Sequence, residues 1–217
     1  MIGIVVVSHS RRLAEAAVEL ACEMVPSDRR PSIEIAAGLD EHTFGTDAEA
    51  ISAAIEAADG GEGVLVLLDL GSAVLSAEMA CEFLDPDAAA RVVLSGAPLI
   101  EGLVAAVVTA SGGAPLAAVA READAGLAAK REHLGLGEAE APEPGSAPDA
   151  DVGDALTWAA VVDTPHGLHA RPAAALVSAL SGLDAQVWLT NATTGKGPAA
   201  GDSLSGVATL DVRQGHE

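Results

Sequence analysis

Along the first half of the chain, short runs of aliphatic and β-branched residues alternate with longer Ala/Glu-rich stretches whose apolar positions recur at helical spacing. That alternation predicts the α/β class, a mainly parallel sheet flanked by helices. Strands are expected at residues 2–7, 32–36, 64–68 and 91–94, and helices at 11–24, 47–58, 72–83, 100–110 and 115–130. Thr46 and Glu49 have the T-x-x-E spacing of a capping box for the second helix, and Pro31 and Gly38 bracket the second strand.

From residue 135 to 154 the periodicity stops and the composition turns to Gly, Pro, Ala, Glu and Asp, as in EAEAPEPGSAPDADVGD. Such a stretch predicts an extended linker. Pattern then returns, with a strand expected at 156–162, a helix at 171–181, a strand at 186–189 and a helix at 204–210. Pro172 falls in the first turn of the helix at 171–181 and Gly182 just past its end, the usual placement of these two residues. The expected organisation is therefore a domain at 1–134, a linker at 135–154 and a smaller domain at 155–217. The two halves differ in strand spacing and turn chemistry, so they are different modules and not copies of one.

Two histidines stand where a strand gives way to a helix. In T-P-H-G-L-H-A-R-P-A-A (164–174), His169 precedes the first turn of a helix, where unpaired N–H groups and the positive end of the helix dipole favour an anion. Arg171 adds a guanidinium within reach of the same oxygens. Neutral imidazole is a nucleophile near neutral pH, and a covalent phosphohistidine divides phosphoryl transfer into two steps. His166, in the same segment, reads as a loop residue. In I-V-V-V-S-H-S (4–10) an apolar strand runs straight into His9, at the carboxyl edge of an open parallel sheet where ligands collect. Ser10 suits the N-cap of the next helix, which would leave that helix's amides facing an anion on His9. The third strand ends L-L-D-L-G-S (67–72), bringing Asp69 and Ser72 to the same edge. Asp69 is there either as acceptor for the ring nitrogen opposite the reacting one or as the cap of the following helix. Gly71 and Ser72 offer amides and a hydroxyl to an anion. His42, His133 and His216 sit in polar loop or terminal sequence and carry no comparable pattern.

Composition narrows the partners. A formal charge of −21, with eleven Lys and Arg residues, has the wrong sign for a nucleic-acid backbone. Cys22 and Cys81 lie far apart without a CxxC or a His pair at metal spacing, so they are expected to be buried thiols in helices, with no metal bound. The apolar start lacks the leader of a signal peptide, and the run at 97–110 is interrupted by Glu101 and is shorter than the roughly 20 residues that span a bilayer. A cytoplasmic protein is expected, with no membrane partner. The chain has no G-x-x-x-x-G-K-[ST] loop.

G-L-H-A-R-P-A-A (167–174) resembles the active-site signature of the histidine-containing phosphocarrier proteins of the bacterial phosphoenolpyruvate phosphotransferase system, and the likeness runs through Ser203-Leu204 to Gly215. It implies a small α+β open-faced sandwich in which His169 is phosphorylated on Nδ1 with Arg171 assisting. That fold continues with a further strand and helix, so the domain ending at Glu217 is expected to lack them. Ser203 falls where many such carriers have a regulatory serine, and it equally suits the N-cap of the helix at 204–210. S-H-S-R-R-L-A-E (8–15), D-L-G-S-A-V-L-S-A-E (69–78) and G-A-P-L-I-E-G (96–102) resemble the mannose-type enzyme IIA family. Within it the resemblance is particularly to phosphoryl-donor subunits of phosphotransferase-dependent dihydroxyacetone kinases, which join such a domain to a phosphocarrier domain. This resemblance covers nearly all of residues 1–134 and implies phosphorylation of His9 on Nε2 and a homodimer.

Together the resemblances imply a phosphotransferase component. Phosphoenolpyruvate is the ultimate donor, enzyme I phosphorylates His169, and His169 feeds His9, with the separate phosphocarrier protein of the system as a further partner. His9 then rephosphorylates ADP to ATP on a nucleotide-binding kinase subunit, while another subunit holds dihydroxyacetone, so the resemblance implies that this chain binds neither nucleotide, sugar nor any other cofactor directly. The alternatives are a IIA component feeding a sugar-transporter IIB protein, and a regulatory protein read through its phosphohistidine state.

Overall fold

The computed structural model describes residues 1–136, 156–165 and 167–217. Most of the expected linker at 135–154, and His166, lie outside the described residues. The chain divides into two units, Met1–Gly126 and Leu127–Glu217.

In the first unit the elements follow as β1 (Gly3–Ser8), α1 (Arg11–Cys22), β2 (Ser32–Ala37), α2 (Ala48–Ala58), β3 (Val64–Leu68), α3 (Gly71–Glu82), α4 (Pro86–Ala89), β4 (Val92–Ser95), α5 (Leu99–Ser111) and α6 (Leu116–Asp124). The four strands form one parallel sheet in the order β2-β1-β3-β4. β1 and β3 are central and buried on both faces, which is why they read as unbroken apolar runs. Val5, Val7, Val66 and Leu68 share a buried cluster with Ile51 and Ile55 of α2 and with Ala73, Ala77 and Ala80 of α3. The alternate residues Ile4, Val6, Leu65 and Leu67 are equally buried on the other face. There Gly102 of α5 lies against Leu67, and a Cβ on it would stand only 2.8 Å from Ala97 Cβ.

Local chemistry departs from the expected pattern in several places. The N-cap of α2 is Asp47, whose carboxylate accepts from the Glu49 N–H at 3.0 Å. Thr46 instead places its hydroxyl 2.7 Å from that of Ser76, so no capping box forms. The cap contributes about 1 kcal/mol, whereas burying Ile51 and Ile55 contributes about 1.5–3 kcal/mol each; packing holds α2 and the cap sets its start. The helix expected at 115–130 is broken into α6, a 3₁₀ turn (Ala125–Leu127) and α7 (Ala128–His133). The break falls at Gly126, where a Cβ would lie 2.9 Å from the Glu101 carbonyl carbon of α5. Cys22 and Cys81 do lie in helices, but both are free and only half-buried rather than buried. Burial, reinforced by the charge of Glu78, pushes the Cys81 thiol up.

The second unit contains α7, α8 (Ala170–Leu180), β5 (Trp188–Asn191), β6 (Lys196–Ala200) and α9 (Leu204–Thr209). Ala173, Ala174 and Val177 of α8 are buried, as are Leu204, Val207 and Leu210 in and beside α9. β5 and β6 pair antiparallel, Trp188 opposite Ala200. The strand expected at 156–162 does not form. Among the described residues only Val162 of this stretch has backbone partners, donating to His216 O at 2.9 Å and accepting from Gly215 N–H at 2.8 Å. Leu156, Trp158 and Val161 stay exposed, without the half-burial that stabilises a strand. Among the described residues no helix is long and apolar enough to cross a membrane.

Candidate functional site

Parallel register puts Val7 of β1 beside Leu68 of β3, so the residues at and just past the ends of these strands meet across the carboxyl edge of the sheet. Those residues are Ser8–His9 on one side and Asp69 on the other, with the Asp69 N–H donating to Val7 O at 3.2 Å. His9 is thereby carried past the end of β1 while its ring remains beside β3.

The Asp69 carboxylate accepts four hydrogen bonds. Oδ2 takes the Ser8 hydroxyl and the His9 N–H, each at 2.9 Å. Oδ1 faces His9 Nδ1 at 3.0 Å and takes the Leu70 N–H at 2.8 Å. Burial opposes ionisation here, but the bonds from the His9 N–H, the His9 ring and the Ser8 hydroxyl, with charge attraction to His9, outweigh it. The carboxyl is held below its ordinary value of 3.8. An ionised Asp69 only accepts, so Nδ1 carries the ring proton and Nε2 carries the lone pair.

Nε2 lies 3.0 Å from the Ser72 hydroxyl, in the first turn of α3. The Gly71 and Ser72 amides stand in that same turn, ahead of the helix's own i→i−4 bonds, and so do not spend themselves within it. The helix whose start meets the ring is therefore α3 and not α1, the helix that follows His9 in sequence. α1 is closed by Ser10, whose hydroxyl accepts from the Leu13 N–H at 3.3 Å. Asp69 does not cap α3, since the N-cap there is Leu70. The His9 side chain is 25% exposed while that of Asp69 is 8% exposed, so the ring is reachable and its anchor is covered.

A loop grips the backbone of His9 from the other side. Gly38 N–H donates to Ser8 O at 3.1 Å and Gly45 N–H donates to His9 O at 3.0 Å. Between them Asp40 ties the turn, accepting from the His42 and Thr43 N–H groups at 2.8 Å each. His42 is exposed at that turn. Sequence reasoning passed over Ser8. Its signal was a hydroxyl in the last position of an otherwise apolar strand, where burial demands a partner.

In the second unit His169 is the N-cap of α8 and is exposed, with Arg171 exposed in the first turn of the same helix. Gly167 fixes the approach. Its φ is +79°, and a Cβ there would stand 2.1 Å from Val212 O, so only glycine fits. The Leu168 N–H then donates to the same Val212 carbonyl at 2.9 Å. His169, Leu168, Asp211, Val212, Arg213 and Gln214 border an open cleft of about 550 Å³. Arg213 donates to both carboxylate oxygens of Asp211, at 3.3 and 3.2 Å, and chiefly this bond holds the Asp211 carboxyl low. Ser203 is the N-cap of α9, accepting from the Gly206 N–H at 2.9 Å.

The family model described as the PTS system fructose IIA component (EIIA-man) matches residues 3–120. The chain belongs to that family. The IIA-component match covers β1 to β4 and the whole constellation of His9, Asp69 and Ser72. A second family model, described as the PTS HPr component phosphorylation site, matches residues 157–217. The chain is 43% identical over 215 residues to the phosphoryl donor subunit DhaM of PEP-dependent dihydroxyacetone kinase from Escherichia coli (strain K12), covering 98% of this chain and 44% of that protein. It is 41% identical over 217 residues to the subunit of the same description from Providencia stuartii, covering 99% of this chain and 45% of that one. A Listeria innocua relative, described as the phosphoryl donor subunit DhaM of PEP-dependent dihydroxyacetone kinase 2, is 37% identical over 108 residues, or 50% of this chain and 85% of that protein. The chain thus spans less than half the length of the Escherichia coli and Providencia relatives.

Proposed function

We propose that the chain is a phosphohistidine carrier, a cytoplasmic component that relays phosphate derived from phosphoenolpyruvate through His169 to His9 and on to ADP held by a dihydroxyacetone kinase partner subunit. The observation that carries this reading is the His9 ring held at both nitrogens, Nδ1 on Asp69 and Nε2 at the start of α3. A proton fixed on Nδ1 leaves the Nε2 lone pair to attack phosphorus. As the new N–P bond forms, the bond from phosphorus to the donor's nitrogen breaks and its electron pair returns to the donor. The ring becomes cationic, opposite an ionised Asp69, and the phosphoryl oxygens meet the Ser72 hydroxyl and first-turn amides. Catalysis of this kind asks for aim and charge stabilisation and little else.

His169 at the N-cap of α8, with Arg171 in the same turn, supports the part of the upstream carrier, loaded by enzyme I or by a separate phosphocarrier protein. Exposed Leu70 and Leu75 of the α3 region and exposed Phe44 support docking of protein partners over the His9 edge, a second copy or a kinase subunit among them. The relatives described as donor subunits of PEP-dependent dihydroxyacetone kinase favour the kinase over a transporter as recipient.

The test supplies labelled phosphoenolpyruvate, enzyme I and a phosphocarrier, then offers either the kinase subunits with ADP and dihydroxyacetone or a transporter IIB protein. Label should reach His9 and then dihydroxyacetone. His9→Ala should stop it, while His169→Ala should stop transfer from enzyme I alone and be rescued by the added carrier. Full transfer in His9→Ala would end the reading.

A further inference from the structure

Ser8 has no part in the relay as described, yet its position is demanding. It is fully buried at the end of β1, where a hydroxyl persists only if hydrogen-bonded. Its Oγ accepts from the Ser10 N–H at 3.0 Å and lies 2.9 Å from Asp69 Oδ2 and 3.2 Å from Ser10 O. The single hydroxyl proton goes to the nearer and charged acceptor, Asp69. Of the four donors on that carboxylate, two belong to His9 and one to the adjoining Leu70, so Ser8 is the one anchor independent of both.

We propose that Ser8 is a positioning residue for phosphoryl transfer at His9, holding the Asp69 carboxylate oriented and weakly basic so that the Nδ1 proton stays on the ring while Nε2 carries phosphate. The inference rests on the reading of His9 as the phosphoryl acceptor. Its chemical content lies in the onward step. With the proton on Nδ1, breaking the Nε2–P bond returns the electron pair to a neutral imidazole. If the proton passes to Asp69, the same cleavage must expel an imidazolate, a far poorer leaving group. A hydrogen bond from Ser8 draws charge from Oδ2 and opposes that proton shift.

The variants are Ser8→Ala, which removes the donor, and Ser8→Cys, which keeps the branching with a slightly larger atom and a weaker donor. Two readouts are taken on the full chain: the His9 Nδ1–H signal by proton–nitrogen NMR of the unphosphorylated protein, and single-turnover phosphoryl transfer to and from His9 with a histidine phosphocarrier as partner. Ser8→Ala should lose the Nδ1–H signal to solvent exchange. It should also slow transfer about tenfold at unchanged half-saturation by carrier, the effect expected for one hydrogen bond to a charged group. Ser8→Cys should fall between wild type and alanine. A folded Ser8→Ala with wild-type signal and rates overturns the proposal. If Ser8→Ala does not fold, Ser8→Cys decides, and wild-type behaviour there overturns it equally. Failure of wild-type His9 to take phosphate at all would strike the underlying reading first and this proposal with it.

Discussion

Asp69→Asn keeps the shape of the site and changes its logic. The carboxylate accepts at both oxygens, Oδ1 from the His9 ring and the Leu70 N–H, Oδ2 from the His9 N–H and the Ser8 hydroxyl. An amide can accept at only one of these positions. With its oxygen toward the ring, its NH₂ confronts the His9 N–H; turned over, its NH₂ confronts the Leu70 N–H and drives Nδ1 to become an acceptor. Either way a backbone N–H loses its partner, a loss of about 1–3 kcal/mol in stability. In the second orientation the ring proton moves to Nε2 and abolishes the nucleophile, and in both the cationic phosphohistidine loses its counter-charge. Phosphoryl transfer should fall by about 10²–10⁴-fold. Denaturant melts give the first quantity and rapid-quench transfer from a phosphorylated carrier gives the second. The stability difference also has a pH signature. Because the folded Asp69 carboxyl sits below its ordinary value of 3.8, its stabilisation is complete above about pH 4 and is lost as pH falls through the folded value. The gap between wild type and Asp69→Asn should close as pH falls from about 4 through the folded value. Transfer within about threefold of wild type, or a gap that does not close below about pH 4, would refute the assignment of Asp69 as the ring's anchor.

Ser72→Ala should act more mildly than Asp69→Asn, because it removes one donor at 3.0 Å from Nε2 and leaves the first-turn amides of α3 in place. Single-turnover transfer should drop about three- to tenfold with no change in the Nδ1–H signal. Gly167→Ala would force a side chain to 2.1 Å from Val212 O at a φ of +79°, so it should destabilise the second unit by about 2 kcal/mol or more. Thermal melts of the chain check this, and an unchanged transition would contradict the packing of the His169 loop.

The sheet was legible because β1 and β3 are buried on both faces and so announce themselves as apolar runs ending in Ser8-His9 and Asp69. That gave the constellation but not which helix serves it. Sequence adjacency offered the start of α1 beside Gly71 and Ser72 as sources of donors for an anion on His9, and tertiary register brings the start of α3 to Nε2. A pairing across 63 residues leaves no local pattern. β6 was illegible for another reason: Lys196–Ala200 contains Gly197 and Pro198, which argue against a central strand yet are tolerated in a two-stranded ribbon. Residues 156–162 failed the opposite way, with strand-forming side chains but, among the described residues, a backbone partner only at Val162. Gly126 marks the break in the helix expected at 115–130, and its close approach to the backbone of Glu101 is a tertiary contact that sequence spacing does not show.

The two histidines solve different halves of the proposed relay. A carrier must present its phosphate to partners of different shape, and His169 does this from an exposed N-cap whose position is set by Gly167 and Leu168 against Val212. His9 is built the other way, with its backbone carbonyl held by Gly45, its N–H and Nδ1 by Asp69, and its Nε2 beside Ser72. Fixing a nucleophile before encounter removes orientational entropy from the transfer step. Fixing its proton as well determines which nitrogen reacts. Exchange between a reachable donor and a fixed acceptor then asks only the donor to search, so variants that loosen His9 should slow transfer at saturating carrier, and variants near His169 should act chiefly on encounter.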